Sequence, residues 1–494
     1  MKYLHSAALT LLFITNSTFG AEYTWYVLSP PDSRDFIVSP SPITSCTEFV
    51  DKLRAYRPAG VIYKGTSRLS ERQYLCFFFQ PQSGAVRDNW VTIDREGDHC
   101  KSFTTYNSTT DTCSNDPQKG PPQSCPSSFD GNPINFAFGN KFQTESDYSS
   151  NSSSTLGFSR SYNSFDGLWR HSFSTYLRFA GTQYVSVVMH HGRESFFTVS
   201  GSTVTPASAD LGVLSKTATG WQYISTDNER FTFDTAGKLT QWSNAHGAFH
   251  QFAYAGSHVT VTDNLGNSLT FTEDANKQPL TLTASGVQIT YGYNTNKRLT
   301  SVTKVMGGQT TLRQFHYEDP RNNSWLTGIT DERGVRYATW SYDDKGRAIS
   351  SEHADGADKV TVAYNADGTV SVTNELGKVA KYSFQYIKGV QRITSIQGEP
   401  SANCPNSNAT FTYDSNGRLK TKTDNKGNLT TYDYNARGLE ISRTEASGTP
   451  QARTITTDWH PTLFLLTVVT EPNRITTYHY DDQGRQLSRS IREI

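Results

Sequence analysis

The sequence predicts an all-β protein: a small disulfide-stapled N-terminal domain followed by a spiral of antiparallel β-hairpins. Three observations predict it. First, aromatic residues make up 12% of the chain and charged residues only 19%, with Thr, Ser, Asn, Gly and Tyr abundant. This is a balance of strand and turn formers rather than helix formers. Second, the six cysteines crowd toward the N-terminus, five of them between residues 46 and 125. Third, a unit of aromatic residue, Asp or Asn, two spacers, Gly and a basic or polar residue recurs down the second half of the chain.

Taken in order, residues 1–20 read as a signal peptide: Lys2, a short apolar run from Ala7 to Ile14, and small residues Thr18 and Gly20 before a cleavage point, with Ala21 as the competing site. No later segment nears the ~20 apolar residues of a spanning helix. The expectation is export to a periplasmic, cell-surface or secreted location. In that oxidising setting Cys46, Cys76, Cys100, Cys113, Cys125 and Cys404 are disulfide candidates, with up to three bridges and their connectivity open. Residues 21–126 form the cysteine-containing domain, with apolar runs Tyr74–Phe79 and Trp90–Ile93 as short strands. The stretch DPQKGPPQSCP reads as its closing linker.

A second β domain is expected over 127–230 and the repeats over 231–494. The clearest unit is Tyr413-Asp414-Ser415-Asn416-Gly417-Arg418-Leu419, and it returns at Phe233, Tyr342-Asp343-x-x-Gly346-Arg347 and Tyr480-Asp481-x-x-Gly484-Arg485, with looser copies at Tyr293, Tyr364 and Tyr434. Tyr342 to Tyr364 is 22 residues and Tyr413 to Tyr434 is 21, so the period is near 21. The pairs Asn416-Gly417 and Asp367-Gly368 suit type I′ turns. A second turn signal lies about ten residues on, as Asp263-x-x-Gly266, Asp331-x-x-Gly334, Asn374-x-x-Gly377 and Asp424-x-x-Gly427. One period is then two strands and two turns. A lone hairpin cannot bury its aromatic face, so the units must stack.

These units resemble the YD repeats of the rearrangement-hotspot (RHS) family, which includes shell-forming components of toxin complexes and the repeat domain of teneurins. The segment Gly131-Asn132-Pro133-Ile134-Asn135, Gly139-Asn140-Lys141, Glu145-x-Asp147-Tyr148, Phe158-x-Arg160-x-Tyr162 and Gly167-Leu168-Trp169-Arg170-His171 is similar to the lead-in domain of bacterial RHS proteins. So, in the repeats, is Trp459-His460-Pro461 with Glu471-Pro472. The resemblance implies a hollow β-shell, here incomplete, and toxin encapsulation or partner binding. Toxin-bearing members also carry an Asp-Pro-x-Gly core for self-cleavage. Asp319-Pro320 continues as Arg-Asn-Asn, so that activity is not implied here. At about 21 residues per step Phe233–Ile494 holds roughly twelve steps. The expectation is an open C-terminal edge at Gln486–Ile494 that takes a second copy or a separately encoded continuation of the shell.

Chemistry is sparse. Lys+Arg and Asp+Glu both number 46, so no net field steers the chain to nucleic acid. No hydrolase elbow, zinc-protease helix or phosphate loop appears, and no cofactor or metal is expected. On a strand His190 and His191 would point to opposite faces and could not share a metal. A secreted carbohydrate-active enzyme is the alternative reading, using shell carboxylates such as Asp343-Asp344 or Asp481-Asp482, though Asp is also the ordinary turn residue. Trp221, Trp242, Trp325, Trp340 and Trp459 are possible glycan contacts that core packing would equally explain. The favoured reading is a non-catalytic exported shell or interaction protein of a toxin-type or surface recognition system, binding a toxin polypeptide, another partner or a glycan.

Overall fold

The computed structural model describes residues 119–122, 127–150, 154–206, 209–398 and 408–494, together with the backbone of seven strands between Thr24 and Ser114. Two compact units are present, Met1–Ser114 and Asn115–Ile494. In the first, strands Thr24–Val27, Val38–Ser39, Ile62–Ser70, Gln73–Gln82 and Ala85–Glu96 form one antiparallel sheet. The two apolar runs expected there pair, Phe77 opposite Trp90. All six cysteine side chains lie outside the described residues.

The second unit is also all-β. Strands Phe129–Asp130, Ile134–Asn135, Asn140–Ser149, Gly157–Asn163 and Leu168–His171 make a five-stranded lead-in sheet, and a four-stranded meander follows over Tyr176–Pro206. A 26-stranded sheet then runs from Val213–Thr217 to Gln486–Glu493, each strand pairing antiparallel with the next. Its inner face carries the aromatic residues, and strips from about Phe249 to Phe384 pack on the lead-in sheet: Phe136 on Tyr382 at 4.5 Å, Phe158 on Phe271 at 5.5 Å, Trp169 on Phe315 at 5.0 Å. Later strips return to the start of the sheet. The Asn228 side chain accepts the Phe464 N–H at 2.7 Å and donates to its carbonyl at 3.3 Å, closing a turn of the spiral across 236 residues.

The repeat residues each have a mechanical task. Asp414 Oδ1 accepts the backbone N–H of Asn416 and Arg418, both at 2.9 Å, and Oδ2 accepts Arg418 Nε at 2.6 Å. Asp343 with Arg347 and Asp481 with Arg485 repeat the pattern. The arginine then lies over the tyrosine of the next unit, Arg347 over Tyr364 at 3.9 Å and Arg418 over Tyr434 at 5.1 Å. The tyrosine hydroxyl donates back to the preceding unit, Tyr342 to Leu326 O, Tyr364 to Ala348 O and Tyr434 to Leu419 O. Stacking therefore satisfies a buried polar tip that one hairpin alone would leave unpaired.

The turn type differs from the sequence expectation. At Asp414–Gly417 the Gly417 N–H closes onto Asp414 O, and of these residues only Gly417 has positive φ, at 79°. With the register shift at Tyr413 this is a β-turn followed by a left-handed bulge residue, not type I′. Asn365–Gly368 closes the same way, with Asp367 outside the left-handed region, but no register shift follows and it is Asp367 Oδ1 that accepts the Thr369 N–H. The carboxylate cap at the first position favours this form, because it holds the N–H groups two and four residues on. Paired positive φ values fall instead at Ser285-Gly286, Gly307-Gly308, Asp355-Gly356 and Lys388-Gly389.

Gly417→Val is expected to lower stability by about 1–3 kcal/mol, through left-handed backbone strain and a Cβ 3.3 Å from Arg392. At Gly427, equally left-handed but facing open space, the same change should cost less. Urea unfolding of the two variants checks this; equal midpoints would mean that the Arg392 contact adds nothing to the backbone strain at Gly417.

Candidate functional site

On strand Asn140–Ser149 the two-residue period puts Lys141, Gln143, Glu145 and Asp147 on one face, and all four are buried. The first three form a ladder of hydrogen bonds along the strand, and Asp147 continues the row. Lys141 Nζ donates to Gln143 Oε1 at 2.7 Å and to the Asn132 carbonyl, and Gln143 Nε2 donates to Glu145 Oε1 at 2.7 Å. From the ladder, bonds reach the repeats. Tyr337 donates its hydroxyl to Glu145 at 3.1 Å, and Arg313 spans Glu145 and Glu332. Asp147 accepts Arg160 Nε at 2.6 Å, Arg160 Nη2 at 2.9 Å and the Tyr291 hydroxyl at 2.8 Å.

Burial pushes the Lys141 pKa well down, opposed by Glu145. It would do the same to Arg160, but the Asp147 carboxylate outweighs it and raises that pKa. Arg160 is also flanked by the rings of Trp169 at 4.8 Å, Phe315 at 5.1 Å and Tyr291 at 5.4 Å. A polar cavity of about 340 Å³ lies beside the ladder, lined by Glu145, Asp147, Lys304, Arg313, Glu332 and Tyr337 among others. Its two ladder carboxylates each hold an arginine and a tyrosine, so the arrangement clamps the lead-in strand to the repeats and leaves neither poised as a general acid or base.

Two further buried clusters surround it. Asp166 binds Lys119 and Arg170, both at 2.8 Å. This holds the middle of the expected linker against the rest of the second unit: Lys119 is 2% exposed and Arg193 donates to the Lys119 and Pro121 carbonyls. Residues 119–121 are therefore a docked strap, because the Asp166 charge needs its cation. His171 Nε2 lies 3.0 Å from Glu273, and its Nδ1 accepts the Phe173 N–H.

His190 and His191 depart from expectation. They sit in the turn after Val188 rather than on a strand, with ring centroids 4.9 Å apart. His191 Nδ1 accepts the Arg193 N–H. Among the described residues no group of three or more His, Cys, Asp or Glu is placed to hold a metal.

Burial, first, pushes the histidine pKa values down, to about 4 at His190, where His171 adds to it, and well below the ordinary value at His191, where His190 and Arg193 add to it. His171 is lowered by burial against the pull of Glu273. Unfolded histidine titrates near 6.5, so between there and about 4 the unfolded chain binds more protons than the folded one. Stability should accordingly fall as pH drops through this window. His190→Asn should flatten that slope when urea midpoints are compared at pH 7, 5.5 and 4.5; an unchanged slope would mean His190 is not held neutral by the fold.

The tryptophans divide. Trp340 is 2% exposed and donates Nε1 to Asn132 O at 3.1 Å beneath Lys141 Nζ, and Trp221 is 8% exposed. Neither ring can face a sugar. Trp242, Trp325 and Trp459 are partly buried; Trp325 stacks on Tyr342 at 5.2 Å and Trp459 donates to Glu440 O at 2.7 Å. Of the carboxylates considered for glycosidase chemistry, Asp343 and Asp481 serve as turn caps and Asp344 binds Arg321 at 2.7 Å, while Asp482 stands in the turn beside Asp481. Lys141, Glu145, Asp147 and Arg160 stand in the stretch that resembles the lead-in domain, but their alternation along the strand on its own reads as a wet face.

Family comparison agrees with this anatomy. A domain of unknown function (DUF6531) matches residues 131–197, which contain the ladder and its arginine, and the RHS Repeat family matches residues 413–450. The chain carries an RHS repeat. Among solved structures this RHS-repeat chain is similar to TcdB2-TccC3, at 11% identity and a TM-score of 0.35 over 91% of the chain and 28% of that one. It is also similar to TcdB2-TccC3 without its hypervariable C-terminal region, at 11% identity and a TM-score of 0.34 over 84% and 24%. The chain thus spans about a quarter of these structures. No curated protein matches it by sequence. No described helix is long and apolar enough to cross a membrane.

Proposed function

We propose that this RHS-repeat protein is an exported shell module of a toxin-type system, a non-catalytic scaffold that encloses or holds a partner polypeptide. The observation that carries this reading is the wound sheet itself. One continuous antiparallel sheet winds around a lead-in domain and returns to clamp its own start at Asn228 and Phe464. Such a wall supplies a concave inner face, while its polar groups are spent on turns and strip-to-strip contacts. The two family matches support it, one on the lead-in domain and one on the repeats.

The test is coexpression with the polypeptide encoded beside its gene. Copurification, with that polypeptide protected from added protease, is the expected result. Absence of copurification together with turnover on a glycan panel, abolished by one carboxylate substitution that leaves folding intact, would favour the enzyme reading instead.

A further inference from the structure

Apart from the ladder, a half-open cavity of about 390 Å³ lies between the lead-in sheet and the first repeat strips. That is within the range of roughly 300–1,000 Å³ for small-molecule sites. Its walls include Tyr148, Phe158, Phe173, Phe231, Trp242 and Phe252. The polar groups are mostly committed to one another. Ser159 pairs with Ser172 at 2.9 Å, and Thr155 with His250 at 3.0 Å. His250 also covers one side of Trp242, with ring centroids 4.6 Å apart.

The exception is Glu229. Its Oε1 accepts Trp242 Nε1 at 3.1 Å, and among the described residues no lysine or arginine pairs with its carboxylate. Among the described residues that line the cavity there is no lysine, arginine or second carboxylate, so Glu229 is its one acidic group and has no basic counterpart there. Burial, with Asp227 adding, raises the Glu229 pKa against the Trp242 bond, as expected of a carboxylate lacking a counter-ion. The lining histidines His190 and His250 are both pushed down by burial and add no cation at neutral pH.

We propose that this cavity binds an organic ammonium group of about the size of a lysine side chain. The carboxylate supplies the counter-charge, the ring faces attract a cation, and the apolar wall takes an alkyl stem. A sugar would need several free donors and acceptors around an open ring face, and here Trp242 is partly covered and the hydroxyls are paired. The ammonium could belong to a free amine or to a lysine of a polypeptide. The assignment does not depend on the shell reading.

The experiment is a titration of the whole chain with n-butylammonium chloride, n-butanol and Nα-acetyl-lysine-N-methylamide, read by saturation-transfer NMR and calorimetry. Saturable butylammonium binding is expected, at least tenfold tighter than butanol, and weakened at least tenfold in Glu229→Gln, which keeps the shape and the acceptor for Trp242. Binding of the lysine amide as well would assign a polypeptide side chain; butylammonium alone would assign a free amine. If Glu229→Gln fails to fold, a salt titration of the wild type replaces it: butylammonium binding should weaken as sodium chloride rises while butanol binding stays unchanged, and salt-independent butylammonium binding would overturn the role of the carboxylate. Equal binding of butanol and butylammonium, no saturable binding, or binding of methyl glucoside in place of the amine would overturn the proposal.

Discussion

Asp147→Ala is expected to destabilise the second unit by about 3–5 kcal/mol, at the upper end for a single substitution. Arg160 is fully buried, and Asp147 accepts two of its N–H groups. Removing the carboxylate leaves a guanidinium that cannot shed its proton and has no route to water. The three neighbouring rings soften this but cannot accept its hydrogen bonds along the same axis. Tyr291 loses its acceptor too, so the damage crosses from the lead-in strand to the repeats. Asp147→Asn, which keeps an acceptor, should cost less. Replacing both partners, as Asp147→Leu with Arg160→Met, should recover much of the loss, since it is the orphaned charge and not the missing pair that is expensive. Urea unfolding followed by circular dichroism gives the comparison; a loss below about 1 kcal/mol for Asp147→Ala would mean that water reaches Arg160.

Trp340→Ala should cost a similar amount, about 3–5 kcal/mol, for a different reason. The ring is 2% exposed between the lead-in and repeat sheets, and neighbours fixed in two sheets cannot collapse into the space it leaves. Its Nε1 also satisfies the Asn132 carbonyl, and its face lies 4.2 Å from Lys141 Nζ, so the ladder loses a neighbour as the core loses volume. Trp340→Phe should cost less than Trp340→Ala, because most of the ring volume stays and one hydrogen bond is lost. Differential scanning calorimetry of the three proteins would separate these. A Trp340→Ala variant as stable as the parent would place the indole on a wet face and reopen its reading as a glycan contact.

The sequence determined the local grammar of the repeats by itself. Asp414, Gly417 and Arg418 are close in the chain, and their interaction is a turn that four or five residues can specify without help. The period near 21 follows from the length of two strands and two turns, so the antiparallel order of the sheet was legible as well. The finer turn type was misjudged because Asn-Gly suits two hairpin geometries, and the aspartate cap two residues earlier decides between them.

The contents of the interior were decided only by tertiary structure. Lys141, Gln143, Glu145 and Asp147 alternate like any solvent-facing stripe, and what makes them a buried clamp is the arrival of Tyr291, Arg313 and Tyr337 from more than 140 residues away. The same holds for Lys119, whose proline-rich surroundings read as linker until Asp166 meets it. Glu229 too stands in an ordinary turn, just before strand Arg230–Phe233, and only the sheet folded over it shows a carboxylate without a cation. Turn chemistry is short-range and leaves its mark within one repeat. Burial of charge depends on which distant strand covers a residue, and that is set by the winding of the whole sheet.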